Sequence, residues 1–361
     1  MKGPLAPRST GRSLLLLRNA LVVLTALTLL LSWLAFRSVE AETTAVATTT
    51  APALLGIANA RTALAEAERS VTETFASDRS SLTGPGEQYQ NQIALANQAL
   101  TEVSADNAAG ERGSTLLLSI QGLLIDYIGL IEQADAQQDR AAGTVPPLAT
   151  ANLWYASGLM DDVQSRLEAL ARLQQERLDE QIRPKPVVDL APLVLAVALV
   201  VVLVLGQRVL RVRFRRRVNP ALVGATALAV LVLFTGLLSL LARFDLRAAA
   251  ATLRGAAADH TAVVEDTSAR GDRLLRDFLD HQCADTRCGT SVDRFRTTVR
   301  DPGREPDTVA AAARSKAATS EIADASAGGW LPVLPIAAGL VIGLVVLGFH
   351  PRLAEYRYER R

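Results

Sequence analysis

Residues 221–242 read ALVGATALAVLVLFTGLLSLLA, without a charge from end to end. At about 1.5 Å rise per residue such a run crosses the roughly 30 Å hydrocarbon layer as one helix. Three more apolar runs follow the same pattern. Asn19–Phe36 is uncharged, with Arg18 placed to snorkel at its edge. Leu190–Gly206, preceded by Val187 and Val188, is long enough once Asp189 sits at the interface. Leu331–Phe349 opens with Pro332 and Pro335, which cost least in a first turn, where the N–H groups lack intrahelical partners. The chain therefore reads as an all-α membrane protein with transmembrane helices at 19–36, 187–206, 221–242 and 331–349.

Arginine placement sets the orientation, because short basic segments resist translocation. Residues 1–18 carry Lys2, Arg8 and Arg12, and 207–220 carry Arg208, Arg211, Arg213, Arg215, Arg216 and Arg217 with no acid. Residues 350–361 end in Arg357, Arg360 and Arg361. These three segments are expected in the cytoplasm with both termini, and 37–186 and 243–330 outside. Trp33 and Trp330 then fall at the outer interface and Tyr356 and Tyr358 near the inner one. The near balance of 38 basic and 37 acidic residues hides this asymmetry, so bulk charge says nothing about partners. A cleaved signal peptide ending near Val39-Glu40-Ala41 is the alternative for the first run, which exceeds the 7–15 residues usual for one. The weighting towards Ala, Leu, Val and Arg, with Lys2, Lys185 and Lys316 the only lysines, is that of a high-GC bacterium.

In 37–186 no stretch alternates at the period of a strand. Ile57, Ala60, Leu64, Ala67 and Val71 form one helical seam closed by Phe75, and Thr43–Thr50 ahead of Pro52 predicts a kink. Gly84-Pro85-Gly86 breaks the chain before a helix over Glu87–Val103. Further breaks at Ala108–Gly113 and Gly143–Pro147 frame helices over Leu116–Gln138 and Leu148 to about Gln181. Four helices whose ends enter and leave one membrane face imply an up-down-up-down four-helix bundle.

The order of short motifs carries a resemblance. Ala58-x-x-Arg61-x-x-Leu64-x-x-Ala67, Phe75, Gly86-Glu87-Gln88-Tyr89, Tyr127-x-Gly129-x-Ile131-Glu132-x-Ala134 and Leu153-Trp154-Tyr155-Ala156-Ser157-x-Leu159-Met160 follow one another. Inside, Arg215-Arg216-Arg217-x-Asn219-Pro220 and Pro351-Arg352-Leu353-Ala354-Glu355-Tyr356 complete the set. This order resembles the GlnX-like group of actinobacterial four-span membrane proteins, which carry an extracytoplasmic four-helix-bundle sensor domain. The resemblance implies sensing of glutamate, aspartate or glutamine, with a solute-binding lipoprotein as outer partner and a soluble Ser/Thr kinase as inner partner. Arg61 is the candidate for an anionic ligand, since a guanidinium grips a carboxylate bidentately. Its ordinary reading is a surface salt bridge to Glu66 or Glu68. Trp154 and Tyr155 are candidate pocket residues, although aromatics at helical spacing are more often core.

The second outer segment, 243–330, is a smaller helical domain with helices expected near Leu246–Asp266, Ala269–Gln282 and Thr308–Ala325 and a loop at Arg300–Asp307. The halves repeat a span, domain, span plan without a residue-level repeat. Cys283 and Cys288 lie outside the membrane, where a local disulfide is the simplest account. A metal site with His281 is the rival, and it lacks an evident fourth ligand.

The inner segments are too short to fold as a kinase, cyclase or DNA-binding domain. No phosphate loop, nucleophile elbow or nucleic-acid motif appears, so no enzyme, cofactor or nucleic-acid partner is expected. Candidate inner docking residues are Arg215, Arg216, Arg217, Arg352, Leu353, Glu355 and Tyr356. The arginines equally set topology and attract anionic lipid. Gly339 and Gly343, and also Thr235 and Ser239, offer small-residue faces for helix packing within the chain or between two copies. A receptor or adaptor is the leading reading, a structural or transport-accessory envelope protein the alternative. A transporter fits poorly, because the spans lack mid-membrane ionisable groups.

Overall fold

The computed structural model describes residues 10–77, 86–140, 145–183, 186–214, 220–283, 288–299 and 308–326. Every regular element among them is helical. We number the helices α1 (Thr10–Ala45), α2 (Ala51–Ala76), α3 (Glu87–Ala105), α4 (Gly110–Arg140), α5 (Pro147–Ile182), α6 (Pro186–Phe214), α7 (Pro220–Gln282), α8 (Thr290–Thr298) and α9 (Thr308–Ser326). Several sequence-read features lie outside the described residues: the run at 331–349 with Gly339 and Gly343, Arg215–Arg217, and Arg352, Leu353, Glu355 and Tyr356.

The chain divides into two compact units. The first comprises Met1–Thr43, Ile182–Arg247 and Ala325–Arg361. Its described helices leave many large apolar side chains exposed and bury small or polar ones beside Leu199, Leu203 and Val232. Leu27 and Leu30 of α1, Val194 and Val201 of α6, and Val230 and Phe234 of α7 are exposed, whereas Thr25, Thr28, Ala196, Ala225 and Ala229 are buried. Small residues let helices approach closely, and the exposed branched side chains suit lipid better than water. Polar groups are tied off locally: Thr28 Oγ1 donates to the Leu24 carbonyl at 2.7 Å, and Gln207 Nε2 to Thr226 Oγ1 at 2.7 Å. Arg243 and Glu42 form an ion pair at 3.6 Å, largely removed from solvent. Among the described residues, Val23–Ala76 and Gly110–Arg140 are long and apolar enough to cross a membrane, and Leu193–Leu205 and Val223–Phe234 are shorter apolar stretches. Gly110–Arg140 gives a buried stripe, Leu117, Ile120, Leu124, Tyr127, Ile131 and Ala134, to the core of the second unit, and leaves Leu118 and Ile125 exposed.

The second unit comprises Thr44–Gln181 and Ala248–Asp324. Its core joins Leu64, Leu100, Leu124 and Leu167 of α2 to α5 with Leu275, Phe278 and Leu279 of α7 and Val292 of α8. The segment read as a separate smaller domain thus contributes to the same core as the sensor helices. Gly56 lies where α2 approaches α3 closely: a Cβ there would sit 2.7 Å from Val103 Cγ2. Between α3 and α4, Asn107 Oδ1 accepts from the Ala109 N–H at 3.0 Å and from Gln174 Nε2 at 3.1 Å, tying the turn to α5.

Local expectations fared unevenly. The threonine-rich stretch, where a kink is expected, departs from regular α-helix. It forms a π-helical turn at Val46–Thr50, in which Thr48 and Thr49 hydroxyls donate back to the carbonyls of Thr44 and Ala45. The helix expected to end near Asp266 continues to Gln282, because Thr267 and Ser268 interrupt the pattern without a Gly-Pro signal. Helix α8 had no sequence-level expectation at all. Cys283 and Cys288 are disulfide-bonded, with Cα atoms 5.8 Å apart.

Candidate functional site

A cavity of about 150 Å³ opens on α2, α5 and α7. Each helix supplies four lining residues at positions i, i+3, i+4 and i+7: Leu54, Ile57, Ala58 and Arg61 from α2; Glu168, Ala171, Arg172 and Gln175 from α5; Ala257, His260, Thr261 and Val264 from α7. That spacing places each set on one helical face. The walls are apolar at Leu54, Ile57 and Ala257 and polar around Arg61, Glu168 and His260.

Arg61 is held by a neutral partner. Its Nε donates to Gln164 Oε1 at 3.3 Å, and Gln164 Nε2 donates back to the Arg61 carbonyl at 3.0 Å. The expected salt bridge to Glu66 or Glu68 does not form. Arg69 takes Glu66, three residues away on the same face, at 3.0 Å, and Glu68 turns into the interior beside Ser157. Burial lowers the Arg61 pKa, opposed at longer range by Glu168 and Glu265. Arg172 is already paired with Glu168, so Arg61 is the guanidinium on this wall whose bonding partner is uncharged.

His260 is the second polar anchor. It is 8 % exposed, its Nδ1 lies 3.5 Å from Thr62 Oγ1, and its Nε2 is buried with no hydrogen-bond partner among the described residues. Thr62 spends its own proton on the Ala58 carbonyl at 2.9 Å, so its oxygen accepts from Nδ1–H and Nε2 carries the lone pair. This tautomer is assigned from the bonding pattern. Burial lowers the His260 pKa, partly offset by Asp259, which keeps the ring neutral and Nε2 an acceptor.

Toward the core end of the same helices, Glu68 is almost fully buried and its pKa is raised to about 8. Burial is the main cause, the negative fields of Asp161 and Asp272 add to it, and a hydrogen bond from Ser157 works against it. Asp272 is raised to about 6 by burial and by Asp161. The Tyr127 hydroxyl, buried in the field of Tyr89 and Glu68, has no hydrogen-bond partner among the described residues.

The other sequence-read candidates are placed elsewhere. Trp154 packs edge-on against Phe295 of α8 with ring centroids 5.0 Å apart, and Tyr155 is 66 % exposed. Neither lines the cavity. Gln164, Glu168 and His260 were not singled out from sequence. Their signal was a polar residue recurring on an otherwise buried helical face, and a lone polar residue reads as surface until the neighbouring helix is known.

Residues 42–183 match the family model of the actinobacterial sensor domain. No curated protein and no solved structure matches the chain. The match covers α2 to α5, hence the Arg61 and Glu168 walls of the cavity, and stops before α7. Apolar helices beside a sensor domain point to a membrane protein with a sensory or signalling role. Residues 42–183 of the chain are thus similar to an actinobacterial sensor domain.

Proposed function

We propose that the protein is a non-enzymatic membrane receptor or signalling adaptor, with a four-helix sensor bundle and a second helical segment outside. The observation that carries this is the sensor-domain match at 42–183, bounded on one side by the apolar stretch of α1 and on the other by that of α6. Spans at 19–36, 187–206, 221–242 and 331–349 would put both termini in the cytoplasm of a multi-pass protein in the plasma membrane. The ligand class is an amino acid, met directly or delivered by a solute-binding lipoprotein. The output passes to a soluble Ser/Thr kinase through Arg215–Arg217 and the 352–356 segment. Bundles joined to spans signal through small shifts between two packed states whose balance a ligand biases. Gly339 and Gly343 would support span packing in one chain or in a homodimer.

Crosslinking in native membranes followed by purification tests the reading. A kinase is expected with the wild type and lost on truncation after Phe349. Absence of a kinase from both would sink the signalling role and leave an envelope-scaffold role.

A further inference from the structure

We infer that the outer face of α3 and α4 is an interface between two copies of this chain held in one membrane. The inference goes beyond the receptor reading and rests on it for the membrane anchorage alone.

The sensor helices are covered on one side. Helix α7 lies on α2 and α5, where His260 meets Thr62 and Arg254 pairs with Asp179. Helices α3 and α4, joined by a short turn, present their outer faces to solvent. On α4 the stripe Leu117, Ile120, Leu124 and Tyr127 is buried, and Leu118, Gly122 and Ile125 fall on the opposite face. Leu118 and Ile125 are each 70 % exposed. On α3, Ala94, Asn97 and Thr101 are exposed.

Charge sets this face apart. No Asp, Glu, Lys, Arg or His occurs from Gln88 to Thr101 or from Gly113 to Ile125, whereas α5 carries Asp161, Asp162, Arg166, Glu168, Arg172 and Glu176. Depletion of charge beside exposed apolar side chains is what marks the centre of an interface. The glycines are a second sign. A Cβ built on Gly122 or Gly129 would meet nothing within 4 Å, so no neighbour in the chain requires glycine at either place. Glycine inside a helix weakens it relative to alanine and is useful where another backbone comes close.

The missing charge also selects the occupant. A two-fold interface sets a patch against its own copy, so a charged patch repels itself and an uncharged one does not. A lipid surface would call for basic residues beside the apolar ones, and this face has none. Two chains inserted in one membrane share their orientation, so their two-fold axis runs along the membrane normal and a residue near it meets its own counterpart. Size sets the strength. Stretches of this length at 1.5 Å rise span about 20 Å, and two helices 8–10 Å apart make a face of about 400 Å². That is about half of the roughly 800 Å² per partner found in stable complexes, so the pairing depends on confinement in the membrane.

Thiol crosslinking of the full chain, in native membranes and in proteoliposomes, tests this. Cys283 and Cys288 are bonded to each other, so one added cysteine is the thiol that a short bis-maleimide reaches. Ile125→Cys should give at least roughly tenfold more crosslinked dimer than Tyr155→Cys, an exposed position on α5. Adding Gly122→Glu sets like charges together and should abolish that excess, with the unfolding temperature unchanged because the site is open. Equal yields from the two cysteines, or an excess that survives Gly122→Glu, would overturn the proposal. So would crosslinks from Ile125→Cys to a different protein, or a thiol shielded by lipid that gives no crosslink. Kinase recovery from the same native membranes separates the readings: a dimer without a kinase keeps the interface and removes the signalling role, and a kinase without a dimer does the opposite.

Discussion

Helix α2 has two faces that obey different rules. Toward α3 it is dry and close, with Gly56 under Val103 and alanines at 60, 63 and 67 in the core. Toward α5 and α7 it presents Arg61, Thr62 and Glu68, bonded to or in the field of Gln164, His260, Asp161 and Asp272, with a cavity between. The dry face fixes a single packing, since close-packed interiors tolerate little displacement. The polar face is held by few and longer hydrogen bonds and keeps titratable groups poised. A sensor needs both: a scaffold that does not move and one contact whose free energy depends on conditions.

The largest expected effect lies on the dry side. Leu100 is 1 % exposed in the α3 part of the core, so Leu100→Ala should cost about 2–5 kcal/mol. Urea denaturation of the full chain checks it. A loss under about 1 kcal/mol would mean that the face collapses around the void and is not rigid.

The polar face should answer to pH instead. The folded-state pKa of Glu68 is raised, so the proton is held more tightly in the folded protein than in the unfolded chain. Its contribution is complete below the ordinary carboxylate value of 4.5 and is lost as pH climbs to about 8, with Asp272 adding the same sign up to about 6. Wild-type stability should fall through this window by an amount on the order of 2–4 kcal/mol, and Glu68→Gln should flatten the profile. Denaturation midpoints at pH 5, 6.5 and 8 read it out. An unchanged slope in Glu68→Gln would assign the titration to other groups.

Gly56→Ala tests the close approach directly. The new methyl meets Val103 Cγ2 at 2.7 Å, too short without a shift, and overpacking of this kind costs about 1–3 kcal/mol. Val103→Ala should relieve the clash, so the double variant should lose less than the sum of the singles. Strict additivity would show that α2 and α3 simply move apart.

This contrast also explains what the sequence made legible. The seam Ile57, Ala60, Leu64, Ala67 and Val71 announces α2 because burial follows the helical period, and each of these residues is buried. The polar face has no such period. Arg61 was recognisable as a chemical candidate, yet its partner Gln164 lies 103 positions away and His260 sits 198 positions beyond Thr62. No local pattern encodes that pairing. Helix α7 shows the same limit. Its apolar residues Leu275, Phe278 and Leu279 signalled a helix without revealing that they complete the core of another segment. Glu68 is the sharpest case, a charge that composition places on the surface and packing places inside.

The smallest expected effect separates two neighbours that read alike. Trp154 and Tyr155 are adjacent aromatics at the head of one motif, and a helix turns adjacent side chains about 100° apart, so at most one can face the core. Trp154 packs on Phe295, and Tyr155 is 66 % exposed. Phe295→Leu should therefore cost about 0.5–1.5 kcal/mol through the lost edge-to-face contact. Tyr155→Ser should stay within about 0.5 kcal/mol of wild type, as surface substitutions do, and leave the Ile125→Cys crosslink unchanged. Loss of the crosslink in Tyr155→Ser with unfolding unaltered would move the contact between copies away from α3 and α4, to the exposed side of α5. That outcome would make the motif itself the interface and the uncharged face of α3 and α4 an ordinary surface.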